Sequence, residues 1–305
     1  MSTAFRKIAE WSRRPNKFGR LLMLPLNIVL NFVLMIPFGI MIFLSFTKWH
    51  PLAGVMWWQA PIAGLPNFAK AFTDARFQWA LIRTVIFVAA VVPIEFLLGL
   101  VITLLFLGEF RGKKIFTSIV LYPMMVPWVV VGLSFFLMFQ DFGPVNLILL
   151  KALFGEESVI SWFLDPTLAF LTIMLADIWQ WTPLMFLIVY SGLVSVPPRL
   201  IEAAKVLGAS SMQILRRIQL PLIKPLIIVA LIIRGLEAFK VFDTVFIMTG
   251  AGGPGTATET ISAYIYKLAI LYNNLSYASA VSLILLVALA LVTRLAIKPL
   301  AVKPE

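Results

Sequence analysis

The chain has 305 residues, 61% of them hydrophobic, and its 25 Lys and Arg against 14 Asp and Glu give a net charge of +11. With a mean hydropathy of +0.98, it carries more apolar side chain than a soluble domain of this length covers with polar groups, which excludes a soluble globular protein. It contains no cysteine, so neither disulfides nor thiolate metal sites contribute.

In chain order, a basic stretch with Arg6, Lys7, Arg13, Arg14, Lys17 and Arg20 leads into the first long apolar run. That run is too long for the core of a signal peptide, and no small-residue cleavage site follows it, so it reads as a retained span. Six runs, at roughly 22–46, 80–107, 115–139, 167–194, 221–249 and 277–297, are each long enough to cross about 30 Å of hydrocarbon. The expected fold is therefore an all-α membrane protein with six transmembrane helices. Placing both termini in the cytoplasm puts roughly 17 Lys and Arg inside against about 6 in the outer loops, which sets the orientation. The positive charge is mostly this topology signal. A nucleic-acid reading would need a basic face on a soluble domain, and none is present.

The outer segment near residues 47–79 is rich in Trp and Pro (Trp57, Trp58, Pro61, Pro66) and suits a small structured cap, with His50 as an interfacial residue. A second outer stretch carries Asp141, Glu156, Glu157 and Asp165. The third opens with Thr249-Gly250-Ala251-Gly252-Gly253-Pro254-Gly255. It lacks the Lys-Ser/Thr and the preceding strand of a phosphate cradle, and so reads as a tight interfacial or re-entrant turn.

Between the fourth and fifth runs, residues 197–220 form a polar insert. Leu200, Ile201, Ala204 and Leu207 fall on one face of a short helix while Glu202 and Lys205 point elsewhere. Gly208 supplies a left-handed exit, Ser210 and Gln213 fit a capping box for a second short helix, and Pro221 sits where the next span is expected to begin.

Ionisable groups inside spans cost roughly 2.5 to 3.5 kcal/mol unless they face protein or water, so Glu95, Asp177, Glu237, Lys240 and Asp243 are candidates for a solute path. Asp177, Gln180 and Trp181 share one side of the fourth span and offer an acceptor, an amide and an indole, the groups that bind and stack a sugar. Helix packing is the other use of that side. Glu237, Lys240 and Asp243 recur every three residues and pair along one flank, a pattern that also suits a contact with another membrane subunit. No catalytic or metal-ligating set is expected.

The sequence resembles the membrane subunits of ATP-binding-cassette importers, specifically the carbohydrate-type permeases of the maltose and glycerol-phosphate transporters. The resemblance rests on Glu202-Ala203-Ala204 with Gly208 and Leu220-Pro221, on Gly99, on Pro123, Pro127 and Gly132, on Gly143 and Asn146, and on Thr249 with Gly252-Gly253-Pro254. It covers most of the chain from about residue 20. Leu207 departs from the family, which usually places an acidic residue there; one polar contact at the loop is what that puts in question.

The resemblance implies a cytoplasmic N-terminus over 1–21, a transmembrane domain over 22–297 with its coupling loop at 197–220, and a cytoplasmic tail over 298–305. It implies ATPase coupling by Glu202, Ala203, Ala204, Lys205, Gly208 and Ala209; the candidate substrate path, Asp177, Gln180, Trp181, Glu237 and Lys240, is read from the polar residues of the spans themselves. The implied partners are an ATPase dimer that binds ATP and magnesium, a second permease subunit and an extracytoplasmic solute-binding protein. The chain itself is expected to hold no cofactor and to sit as a multi-pass protein in the inner membrane. A secondary transporter is the rival reading, but it predicts two inverted halves, and no internal repeat is visible. A channel gives no reason for the insert.

Overall fold

The computed structural model describes residues 15–52, 54–150, 152 and 159–297. Arg6, Lys7, Arg13, Arg14, Glu156, Glu157, Lys298 and Lys303 lie outside them. The described residues are helical, with one isolated antiparallel bridge between Thr47 and Ile62. In order the helices are α1 (Pro15–Ser45), α2 (Pro66–Thr73), α3 (Ala75–Phe106), α4 (Lys113–Met125), α5 (Trp128–Met138) and α6 (Pro166–Val194). There follow α7 (Pro198–Val206), α8 (Ser211–Ile214), α9 (Leu220–Phe239), α10 (Asp243–Thr249), α11 (Ile261–Tyr266) and α12 (Leu275–Ile297).

Among the described residues, four helices are long and apolar enough to cross a membrane: Leu22–Ser45 within α1, then α3, α6 and α12. The third expected span is not one rod. It is α4 and α5, bent by 94° at their junction. Pro127 explains the break: it has no N–H to continue the ladder, and it drives Val126 to an extended backbone, φ −78° and ψ 130°. The freed Val126 carbonyl accepts a bond from the Gln180 side chain at 2.9 Å.

The fifth run also differs from expectation. Residues 211–239 are helical throughout, and Pro221 lies inside the run rather than at its start. A π-helical turn over Leu215–Gln219, separated from Pro221 by Leu220 alone, widens the ladder where a donor is about to be lost. At the other end α9 stops at Phe239, and α10 is a separate short helix. α9 is not among those four because its 20 residues bring Lys224, Arg234 and Glu237 together within a single span length.

The chain divides into two units. The first joins residues through Ala71 to Leu268–Ile284. Its centre is Ser276, whose hydroxyl accepts from the Trp49 amide at 2.9 Å, donates to the Trp49 carbonyl at 2.8 Å and meets the Thr47 hydroxyl at 3.0 Å. The Asn67 amide group donates to the carbonyls of Ser45 and Thr47. Along α1 the apolar side chains from Leu22 to Ile36 are exposed, as suits a lipid-facing helix.

The second unit, Phe72–Lys267 with Leu285 onward, is built on α3 against α6. Asp74 and Asp165 cap these two helices, each accepting from two backbone amides of the first turn. Gly99 lets them meet: a Cβ there would lie 2.7 Å from both Met185 Cβ and the Phe186 nitrogen. Phe87, Val91, Ile173, Met185, Val245 and Met248 form the apolar core. Asn146, 2% exposed, secures the loop between α5 and α6 by bonding the carbonyls of Gln140, Asp141 and Ile160 and the Trp162 indole. The fully buried Glu259 takes Arg76 at 2.7 Å and Lys267 at 3.0 Å. Burial works to raise its carboxyl, yet the two cations prevail and hold it below its ordinary range.

Overpacking makes Gly99 a test of this arrangement. Gly99→Val is expected to cost about 1–3 kcal/mol or more, because α3 must move off α6. Gly39→Ala, where a Cβ meets nothing within 4 Å, is expected to be neutral. Thermal unfolding in detergent measures both, and equal midpoints would contradict the close approach.

Candidate functional site

Inside the second unit three helices each bring one charged side chain to a single point. Arg234 of α9 donates from Nε to Glu95 Oε2 at 2.6 Å and from Nη2 to Glu95 Oε1 at 2.8 Å, holding the α3 carboxylate bidentately. The same Nη2 donates to Asp177 of α6. The three side chains are between 0% and 2% exposed. One guanidinium thus joins three helices, and two carboxylates share it.

The Trp181 ring lies over that guanidinium, 4.9 Å from its centroid to the central carbon, and packs edge-on against Trp128 at 5.1 Å. Beside it Gln180 spends its NH2 on the α4–α5 break. Three enclosed atoms here find no partner among the described residues: Arg234 Nη1 and Trp181 Nε1, both donors, and the acceptor Gln180 Oε1. Unsatisfied polar atoms at such depth are uncommon. With an aromatic face alongside, they match what a hydroxyl-rich solute needs.

The predicted path residues therefore separate. Asp177, Gln180 and Trp181 come together, but Asp177 is consumed by Arg234. Glu237 and Lys240 pair with each other at 2.7 Å on a partly exposed flank, with side chains 36% and 61% exposed, and take no part in the cluster. Sequence reasoning did not single out Arg234. Its signal was a lone guanidinium in the middle of an apolar run that also holds Glu237.

The polar insert forms a second candidate site. Leu193 and Val196, at the end of α6, pack with Leu215 and Ile223 to root it. α7 ends in a Schellman motif: the Ala209 amide bonds the Ala204 carbonyl at 3.0 Å, the Gly208 amide bonds the Lys205 carbonyl at 3.0 Å, and Gly208 has φ +80°. Ser210 and Gln213 then form the reciprocal capping box of α8. Ala204 is buried, whereas Glu202, Ala203 and Lys205 are exposed. Leu207 does not join the buried face. It is the C-cap, where the chain has already left the helix, and with Val206 it stands out at 86% and 87% exposure.

A profile of the binding-protein-dependent transport system inner membrane component matches residues 95–300. The trehalose/maltose transport system permease protein MalF of Thermococcus litoralis is 36% identical over 89% of each chain. The sulfoquinovosyl glycerol transport system permease protein SmoG of Agrobacterium fabrum is 33% identical over 92% of this chain and 90% of its own. Among solved structures, a bacterial ABC transporter that imports the acidic polysaccharide alginate has the same fold. Its TM-score is 0.78 at 21% identity, over 94% of this chain and 96% of that one, and the transporter is also known in complex with an alginate pentasaccharide-bound periplasmic protein. The chain is an integral membrane protein and belongs to the family of binding-protein-dependent transport system inner membrane components.

Proposed function

We propose that the chain is one membrane subunit of an ATP-binding-cassette importer and forms, with a second homologous permease, the path for a sugar or sugar-like solute delivered by an extracytoplasmic binding protein. The names of the relatives that match nearly its whole length support the solute class. The observation that carries the reading is the exposed α7–Gly208–α8 insert, rooted on the ends of two apolar helices.

In this reading the chain crosses the inner membrane six times, through α1, α3, α4 with α5, α6, α9 and α12, and both termini are cytoplasmic. The insert then lies on the cytoplasmic side. It docks in a cleft of a separate ATPase subunit, with Glu202 and Lys205 offering charge, Ala203 a slim face, and Val206 with Leu207 an apolar knob. ATP and magnesium belong to that ATPase, and this subunit contributes no catalytic residue. Closure of the ATPase pair moves α7, and Gly208 with Ala209 passes the displacement through α8 into α9, which carries Arg234.

The solute meets Trp181 and Gln180, while Asp177 holds Arg234 in place and contacts no cargo. Trp181→Ala in the assembled transporter is expected to lower ATP-driven uptake of labelled sugar by 10-fold or more, since a stacking face and a donor are lost together. The ATPase subunit should still copurify. Normal uptake by this variant would move the path away from the cluster.

A further inference from the structure

A second pocket, of about 410 Å³, lies wholly within the first unit. That volume falls in the range of small-molecule sites. Lys48 and Lys70 line it, Lys70 with its ammonium over the Tyr277 ring at 4.4 Å, His50 stands beside them, and no Asp or Glu among the described residues lines it. Trp49 and Tyr272 supply aromatic rings, and Asn273 supplies an amide. The walls are set in advance by bonds to the backbone and to the indole N–H of Trp49. Ser276 clamps the Trp49 backbone from both sides, the Trp49 indole is held by the Val55 carbonyl at 2.8 Å, and the next residue, Asn274, anchors its amide on the Leu268 carbonyl at 2.8 Å. Asn273 itself sits at φ +52°, a left-handed conformation that Asn tolerates better than most residues.

We propose that this pocket binds a saccharide unit bearing a negatively charged group, a carboxylate or a sulfonate. Aromatic faces stack the apolar side of a sugar ring, amides bond its hydroxyls, and a lining with cations and no carboxylate selects an anionic substituent over a neutral one. On the topology proposed above the pocket opens on the outer face, where cargo arrives. The inference rests on the sugar reading for its biological meaning, but binding here needs neither the ATPase nor transport.

The test uses the full chain in nanodiscs, titrated calorimetrically with digalacturonate, with maltose as the neutral probe and with hexaglutamate as an acidic peptide. Digalacturonate is expected to bind at least 10-fold more tightly than maltose or hexaglutamate. Asn273→Asp retains the left-handed turn and adds a like charge, and should weaken digalacturonate at least 10-fold with an unchanged melting temperature; Lys48→Glu should do the same. Lys224→Gln, which removes an exposed cation of the other unit, should leave this binding intact. Equal binding of maltose, no effect of either pocket variant, or an equal loss through Lys224→Gln would overturn the assignment. Hexaglutamate binding as tightly as digalacturonate would also overturn it and make the pocket a protein-docking surface. None of these failures bears on ATPase coupling, which copurification reads separately.

Discussion

Arg234→Ala is expected to abolish recovery of a monodisperse protein, or to lower its thermal midpoint in detergent by more than any other single change considered. The side chain is fully buried, and it is the shared partner of Glu95 and Asp177. Its removal leaves two carboxylates side by side away from water. Removing one member of a buried ion network costs about 3–5 kcal/mol, chiefly from the charge left behind. Lysine is no remedy, because a single ammonium cannot reproduce the bidentate fork on Glu95 while also reaching Asp177. The triple change Arg234→Met, Glu95→Gln, Asp177→Asn removes all three charges together and is expected to recover much of the lost stability, as apolar replacements of buried ion networks often do. Size-exclusion yield and thermal unfolding distinguish these outcomes. Wild-type stability in Arg234→Ala would show that the three helices are held by packing alone.

The second large effect is expected at the insert, and it spares the fold. Gly208 has φ +80° and open space around a would-be Cβ, so the strain of a substitution there comes from the backbone alone. A β-branched residue pays about 1–2 kcal/mol or more in the left-handed region, enough to shift the angle between α7 and α8. Gly208→Val should therefore insert and accumulate normally yet lose most ATP-driven uptake. Gly208→Asn, which tolerates that conformation, should retain much of it. Glu202→Lys reverses an exposed charge at the same surface and is expected to weaken ATPase binding through electrostatic mismatch.

The parts of this fold that depend on neighbours in sequence were readable in advance, and those that depend on distant partners were not. Gly208 and the Ser210–Gln213 box act over four residues, and their geometry follows from local chemistry. The break at Pro127 was also local; the rule that a residue before proline turns extended marks Val126, although the surrounding hydropathy suggested one uninterrupted span. Arg234 is different. Its partners lie 139 and 57 positions away, a separation that no periodicity reveals, so the sequence left Asp177 between an acceptor for cargo and a helix-packing residue. The three-residue spacing of Glu237, Lys240 and Asp243 announced a paired flank, and Glu237 does pair with Lys240 on a partly open side, but α9 ends at Phe239 and Asp243 opens α10, so the three do not share one helix. Leu207 satisfied the helical period yet lies past the point where α7 ends.

The claim on which the functional reading turns is that the α7–Gly208–α8 insert is the joint to an ATPase. Its most direct test is copurification of the ATPase subunit with the wild-type chain, Gly208→Val and Glu202→Lys, each at equal membrane level, alongside ATP-driven uptake. The account predicts a stable complex for the wild type, a several-fold lower ATPase yield for Glu202→Lys, and uptake near background for both variants. Wild-type ATPase yield together with wild-type uptake in both variants would contradict it.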